Sequence, residues 1–238
     1  MMERRRFVRA CALAGLGAAV PDLLGSAWAQ GAATPRTYAR AKLVGATGGP
    51  LKTKSLPVGR NLIFHYPFAG TPCFLLDLGK PTKPASTLRT ADARSYRWNG
   101  GTGASGGVVA YSAICAHKLT HPTREISFIS YRAEKTPGNR FAQVIHCCSE
   151  HSQYDPADGA RVLAGPAPQP LAAILLDYDR AADELYAVGT LGGEMFDDFF
   201  AKFEFRLALE HGGQARSAVE GTCTVRELEQ FCRQQVKC

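Results

Sequence analysis

Two short stretches carry residues able to bind a metal or an iron–sulfur group. The first is Cys115-Ala116-His117-Lys118-Leu119-Thr120-His121-Pro122. The second is His146-Cys147-Cys148-Ser149-Glu150-His151-Ser152-Gln153-Tyr154-Asp155-Pro156. Cys-x-His in one box and Cys-x-x-His in the other (Cys148 to His151) supply two thiolates and two imidazoles. Thiolates are soft, strongly donating ligands and imidazoles bind in their neutral form, so such a set takes zinc or an iron–sulfur cluster. A zinc hairpin separates its two Cys by about two to four residues and its two His by about three to five. Here each box instead pairs one Cys with one His. That alternation suits two irons, each box giving its Cys to one and its His to the other.

The boxes need rigid elements to present them, and both stand where apolar runs end. Val108 to Ile114 is the clearest strand pattern and runs straight into Cys115; Phe141–Ile145 reads as another strand and also runs into a Cys. Upstream, Ala41–Val44, Leu62–Tyr66 and Cys73–Leu78 are short apolar runs separated by Gly48-Gly49-Pro50, Pro57-Val58-Gly59 and Gly70-Thr71-Pro72, the punctuation of antiparallel strands. Residues 80–107 read as a polar, Gly-rich loop. After a Pro-rich loop at 165–170, Ala172–Tyr178 and Glu184–Val188 read as a hairpin turning near Asp179. Glu194 to Leu209 has helical spacing, with Phe196, Phe199, Phe200, Phe203 and Leu207 on or near one face. Thr224 to Val236 reads as a last short helix capped by Thr222 or Thr224.

Composition narrows the function classes. The 238 residues carry 24 Gly and 14 Pro, which favours many turns over long helices. The formal charge of +7 is spread without a basic run or stripe, so no nucleic-acid partner is expected. The N-terminus, Met-Met-Glu-Arg-Arg-Arg-Phe-Val-Arg, leads into the apolar run Ala10–Val20 and then Ser26-Ala27-Trp28-Ala29, the parts of a secretory signal over residues 1–29. The run is short of the ~20 residues that span a bilayer. Arg4-Arg5-x-Phe7-Val8 also resembles the twin-arginine signal used for proteins that cross the membrane folded. Cleavage after Ala29 would leave a soluble, periplasmic protein; retention would leave a weak membrane anchor.

With these motifs the chain resembles the Rieske family of 2Fe–2S proteins, which ligate their cluster with two Cys and two His. The likeness extends to Ser152-Gln153-Tyr154-Asp155, to the loop Gly165-Pro166-Ala167-Pro168-Gln169-Pro170-Leu171, and to Gly59–Phe64 and Thr71–Leu76. It implies an all-β fold: a Rieske-like antiparallel β-sandwich with a cluster-binding subdomain over residues 39–190 and a short α-helical, Cys-containing C-terminal tail over 191–238. It further implies one 2Fe–2S cluster per chain. Cys115 and Cys148 would hold the inner iron, and His117 and His151 the exposed one. Ser152 and Tyr154 would be second-row hydrogen-bond donors, and the Pro loop a dry lid. Cys-x-x-His spacing selects Cys148, whereas aligning backwards from Tyr154 selects Cys147; the ligand spacing is preferred.

Several positions depart from the family pattern. The places of the disulfide that joins the two loops in quinol-oxidising members fall on Thr120 and Glu150, so that bridge is absent. Arg124–Arg140 reads as an inserted hairpin. The glycine that usually follows the second His is missing, which moves Ser152 and Tyr154 one place closer. His121 and His146 read as loop or strand residues, Cys73 as a buried thiol, and one disulfide is expected among Cys223, Cys232 and Cys238. The resemblance implies one-electron transfer rather than stand-alone catalysis. The partner would be a c-type cytochrome, a quinol-oxidising complex or a larger oxidoreductase subunit, as in arsenite-oxidase-type small subunits. The alternatives are a quinol–cytochrome c reductase subunit with a retained anchor and a structural zinc module. A Rieske oxygenase needs further His ligands, and only His211 follows His151.

Overall fold

Short apolar runs between Gly and Pro turns fold as strands throughout the computed structural model, which describes residues 31–138 and 140–238. They are β1 (Arg36–Val44), β2 (Leu62–His65), β3 (Pro72–Asp77), β4 (Ser86–Arg89), β5 (Ser95–Trp98), β6 (Val108–Ser112), β7 (Ile126–Ser127), β8 (Ile129–Arg132), β9 (Val144–Cys147), β10 (Ser152–Asp155), β11 (Arg161–Ala164), β12 (Ala173–Asp179), β13 (Glu184–Leu191), β14 (Gly221–Thr224), β15 (Arg226–Glu227) and β16 (Gln234–Gln235). The helices are α1 (Phe196–His211) and α2 (Leu228–Phe231). The expected signal at 1–29 lies outside the described residues. Among the described residues no helix is long and apolar enough to cross a membrane.

Eight strands form one sheet in the order β14-β1-β13-β12-β6-β3-β2-β15. Only Val225 separates β14 from β15, so residues 221–227 run as one segment, parallel to β1 and then antiparallel to β2. This joins the two ends of the sheet into a near-barrel. Its strands are apolar on both faces, because successive side chains point to opposite sides. Leu62, Phe64, Leu75, Val108 and Ala110 fill the inside, while Ile63, Phe74, Leu76, Val109 and Tyr111 face a second core. A four-stranded sheet, β11-β10-β9-β8, shares that second core. Burying a side chain such as Phe74 or Leu75 contributes about 1.5–3 kcal/mol, and these cores hold the sheets together.

The hairpin of β12 and β13 and the strands at 62, 72 and 108 lie where their patterns place them. Helix α1 starts at Phe196 and ends at Gly212, which takes the left-handed conformation of a C-terminal cap. Its Phe196, Phe199, Phe200 and Leu207 pack on Ile114 and Leu119.

Other expectations are corrected. Residues 80–107 hold the β4–β5 hairpin, whose Leu88, Tyr96 and Trp98 cover the second core. The strand expected at Phe141–Ile145 begins only at Val144. The helix expected over Thr224–Val236 shrinks to four residues, because neighbouring strands take up the backbone on either side of it. Residues 221–227 pair with β1 and β2, and Gln234–Gln235 pairs with β7. The tail is therefore helical only in part, and it completes the barrel.

Candidate metal centre

The first box turns sharply after β6. Cys115 N donates to Thr120 O (2.8 Å) and Leu119 N to Cys115 O (3.0 Å), with Leu119 in the left-handed region at φ 64°. The turn aims the backbone N–H groups of His117 and Lys118 at the Cys115 sulfur. Cys115 is fully buried, while His117 sits half-buried at the rim. Helix α1 backs this loop: Lys202 Nζ donates to Lys118 O (2.8 Å), and the His121 ring lies 4.8 and 4.6 Å from the rings of Phe199 and Phe203.

The second box is the turn between β9 and β10. His151 N donates to Cys147 O (2.7 Å) and His151 takes φ 60°, also left-handed. In the antiparallel register Ser152 faces Cys147 and Tyr154 faces Ile145. Directly opposed residues share a face, so Cys147, Ser152, Ile145 and Tyr154 all point towards the second core. The Pro loop abuts this turn at Gly165 (φ 87°), where a Cβ would lie 2.5 Å from His151 O and from Ser152 Cα. Glycine is required there for both its dihedral and its closeness. Ala167 and Leu171 of that loop pack in the core that contains Cys115 and Cys147.

The expected pairing of Cys115 with Cys148 is corrected. Cys147 and Cys115 are hydrogen-bonded side chain to side chain, both fully buried. Cys148 forms a disulfide with Cys238, which also replaces the bridge expected within Cys223, Cys232 and Cys238. The physical reason is strand alternation: Ile145 and Cys147 take the inner face, leaving His146 and Cys148 on the side of the C-terminal segment. Cys73, Cys223 and Cys232 are buried free thiols. Where the loop-to-loop bridge is missing, Lys118 Nζ and Glu150 Oε1 meet at 2.8 Å and join the loops by an exposed ion pair.

Electrostatics favour a thiolate at Cys115. The hydrogen bond from Cys147 and a second from Tyr154 outweigh burial and push the Cys115 thiol down to about 6, helped by the N–H groups of its own turn. Cys147 is raised in turn, first by giving that bond and then by burial. Tyr154 Oη lies 3.3 Å from Cys115 Sγ and accepts from Ala116 N (3.2 Å). Burial above all keeps its phenol protonated, so it donates to a Cys115 thiolate. His117 Nδ1 and Ser152 Oγ are buried without a hydrogen-bond partner in the protein. Such orphaned atoms are rare in native folds. A metal group held by Cys115, Cys147, His117 and His151 fits them: His117 Nδ1 is free to ligate, and Ser152 Oγ is free to donate. His151 is exposed at the rim.

His146, Cys148 and Cys238 also offer ligand atoms within 4.8 Å of one another. As a disulfide, however, the two sulfurs carry no thiolate charge. Burial, then His151 and Arg132, hold the His146 ring at about 4, hence neutral. No local pattern marks the disulfide, since its two residues are separated by 90 positions and meet only in the fold. The choice of Cys147 was within reach of the sequence through the Ile145/Cys147 alternation.

No family model matches the chain. Among solved structures it is similar to the soluble domain of the Rieske protein II (soxF) from Sulfolobus acidocaldarius, with 26% identity over 66% of this chain and 82% of that chain and a TM-score of 0.43. The site assignment rests on the arrangement of Cys115, His117, Cys147 and His151 themselves.

Proposed function

We propose that this chain binds one Rieske-type 2Fe–2S cluster through Cys115, Cys147, His117 and His151 and works as a one-electron carrier. The observation that carries this reading is the meeting of two buried cysteines beside Tyr154 and Ser152, with a half-buried His117 and an exposed His151 on the same two turns. When bound, such a cluster takes up and returns a single electron, at potentials of roughly −150 to +300 mV for the class. The protein supplies the rest. Tyr154 donates to the Cys115 sulfur, and Ser152 stands ready to donate beside Cys147; bonds of this kind withdraw electron density and raise the potential. The Pro loop keeps water from the inner side, since prolines lack N–H donors that would draw it in. His117 and His151 form the rim at which a redox partner is met.

The export-type N-terminus supports a place on the outer side of a bacterial cytoplasmic membrane. The partner there would be a c-type cytochrome, a quinol-oxidising complex or a larger oxidoreductase subunit. The test is electron paramagnetic resonance of the ascorbate-treated protein. A rhombic signal with an average g-value below that of all-Cys 2Fe–2S proteins is expected. Silence with both ascorbate and dithionite, together with zinc in metal analysis, would sink the reading.

A further inference from the structure

A cavity of about 290 Å³ opens where the end of β2 meets β14 beneath the last turn of α1. None of Cys115, His117, Cys147 and His151 lines it. Its polar wall is made by Arg124, Arg226, His65 and His211, with the two imidazoles 6.1 Å apart. Among the described residues neither guanidinium has a carboxylate partner. The cavity's one acidic residue, Glu210, is held by Arg206 at 2.7 Å. The Cys223 thiol donates to His65 O (3.0 Å) and is raised by burial to about 11, so it adds no negative charge.

Leu207, Val219 and Phe231 supply an apolar floor, beside the hydroxyl residues Thr222 and Thr224. The Arg124 guanidinium stands over the Phe231 ring, 5.6 Å from its centroid, within cation–π range. Two charges without counterions, two imidazoles and an apolar floor share one concave space, near the lower end of the range for small-molecule sites. Guanidinium groups match carboxylates in shape and can bind them with two parallel hydrogen bonds.

We propose that this cavity binds a small organic carboxylate. Its carboxylate is held between Arg124 and Arg226, His65 and His211 donate from the side, and its carbon skeleton lies on Phe231 and Leu207. The cavity is wide enough for a four-carbon diacid or a single aromatic ring. A free inorganic anion would leave the apolar floor uncovered.

Isothermal titration of the full chain with succinate, benzoate and inorganic phosphate tests this. Saturable binding of succinate or benzoate is expected, weakened roughly tenfold by Arg124→Ala, the loss of one charge-assisted hydrogen bond. Arg226→Ala should weaken it similarly and the double variant abolish it, while Arg180→Ala, at an exposed turn outside the cavity, leaves it within about twofold. Arg124 lies exposed outside any strand, so its variant reads binding even where Arg226→Ala perturbs the barrel seam. The proposal is overturned if no carboxylate binds saturably, if binding survives in Arg124→Ala undiminished, or if phosphate binds and the organic acids do not.

Discussion

The two turns of the candidate centre are similar in backbone form but are fastened by different means. Each bends through one left-handed residue, Leu119 or His151, and each aims main-chain N–H groups at a cysteine sulfur. The first turn is backed by apolar packing: α1 lays Phe199 and Phe203 against His121 and sends Lys202 to Lys118 O. The second is fastened covalently, through Cys148–Cys238, to a C-terminal segment that Arg132 and Thr136 hydrogen-bond at Val236 O and Cys238 O. Between the turns run the buried Cys115–Cys147 and Tyr154–Cys115 hydrogen bonds and the exposed Lys118–Glu150 pair, and an exposed pair contributes little, about 0–1 kcal/mol. Rigidity around one centre thus comes from two independent sources, one sensitive to packing and the other to reductant.

The largest effect is expected at the Cys doublet. Cys147→Ser is expected to abolish iron incorporation and the paramagnetic signal, whereas Cys148→Ser retains both and loses only stability. Iron analysis of the two purified variants decides it, and the opposite outcome would restore Cys148 as ligand.

The next experiment separates the two fastenings. Phe199→Ala, at a fully buried ring, should cost about 3–5 kcal/mol. Cys238→Ser should cost about 2–4 kcal/mol, the usual worth of a bridge that closes a long loop. Urea unfolding with and without a dithiol reductant measures both. Reductant should lower the stability of the wild type and of Phe199→Ala but leave Cys238→Ser unchanged. A reductant effect in the last variant would show that the second turn depends on some other bridge.

Smaller effects sharpen the picture within each turn. Tyr154→Phe removes the donor to Cys115 Sγ and should lower the reduction potential by roughly 50–100 mV, about one charge-assisted hydrogen bond on a one-electron scale. Protein-film voltammetry reads this directly, and an unchanged potential would remove Tyr154 from the tuning of the centre.

The smallest effect expected is one of pH. Burial lowers the pKa of His121 below its ordinary 6.5, so the folded protein holds this ring neutral. Between the lowered value and 6.5 the unfolded chain binds more protons, and stability therefore falls as pH drops below about 6.5. His121→Phe should flatten that decline below pH 6.5 relative to wild type. His65, His146 and His211, all lowered by burial, remain in both proteins, so the difference belongs to the first turn.

Much of this arrangement is legible in the sequence. The two boxes stand out because ligand residues are rare and closely spaced, and the Phe stripe of α1 follows helical spacing. Strands β2, β3 and β6 read easily because both of their faces are buried, which leaves unbroken apolar runs. The β4–β5 hairpin is hard to read because its strands are four residues each and bury only Leu88, Tyr96 and Trp98, too few to form an apolar run. At the doublet motif spacing and strand alternation point to different cysteines, and alternation decides which of them faces the core wherever a face is buried. The Cys148–Cys238 bridge and the pairing of residues 221–227 bring together positions far apart in the chain, and no local pattern records such partners.

That seam at 221–227 also sets an order in time. The edges of β1 and β2 wait for a segment that leaves the ribosome only after β3 to β13 and α1 have been made. Contacts so distant in sequence form slowly. Until they form, two strands lie open to pair with whatever strand comes first, including that of another copy. Rapid overproduction of this chain should therefore yield aggregates seeded at β1 and β2, and slower synthesis should relieve them.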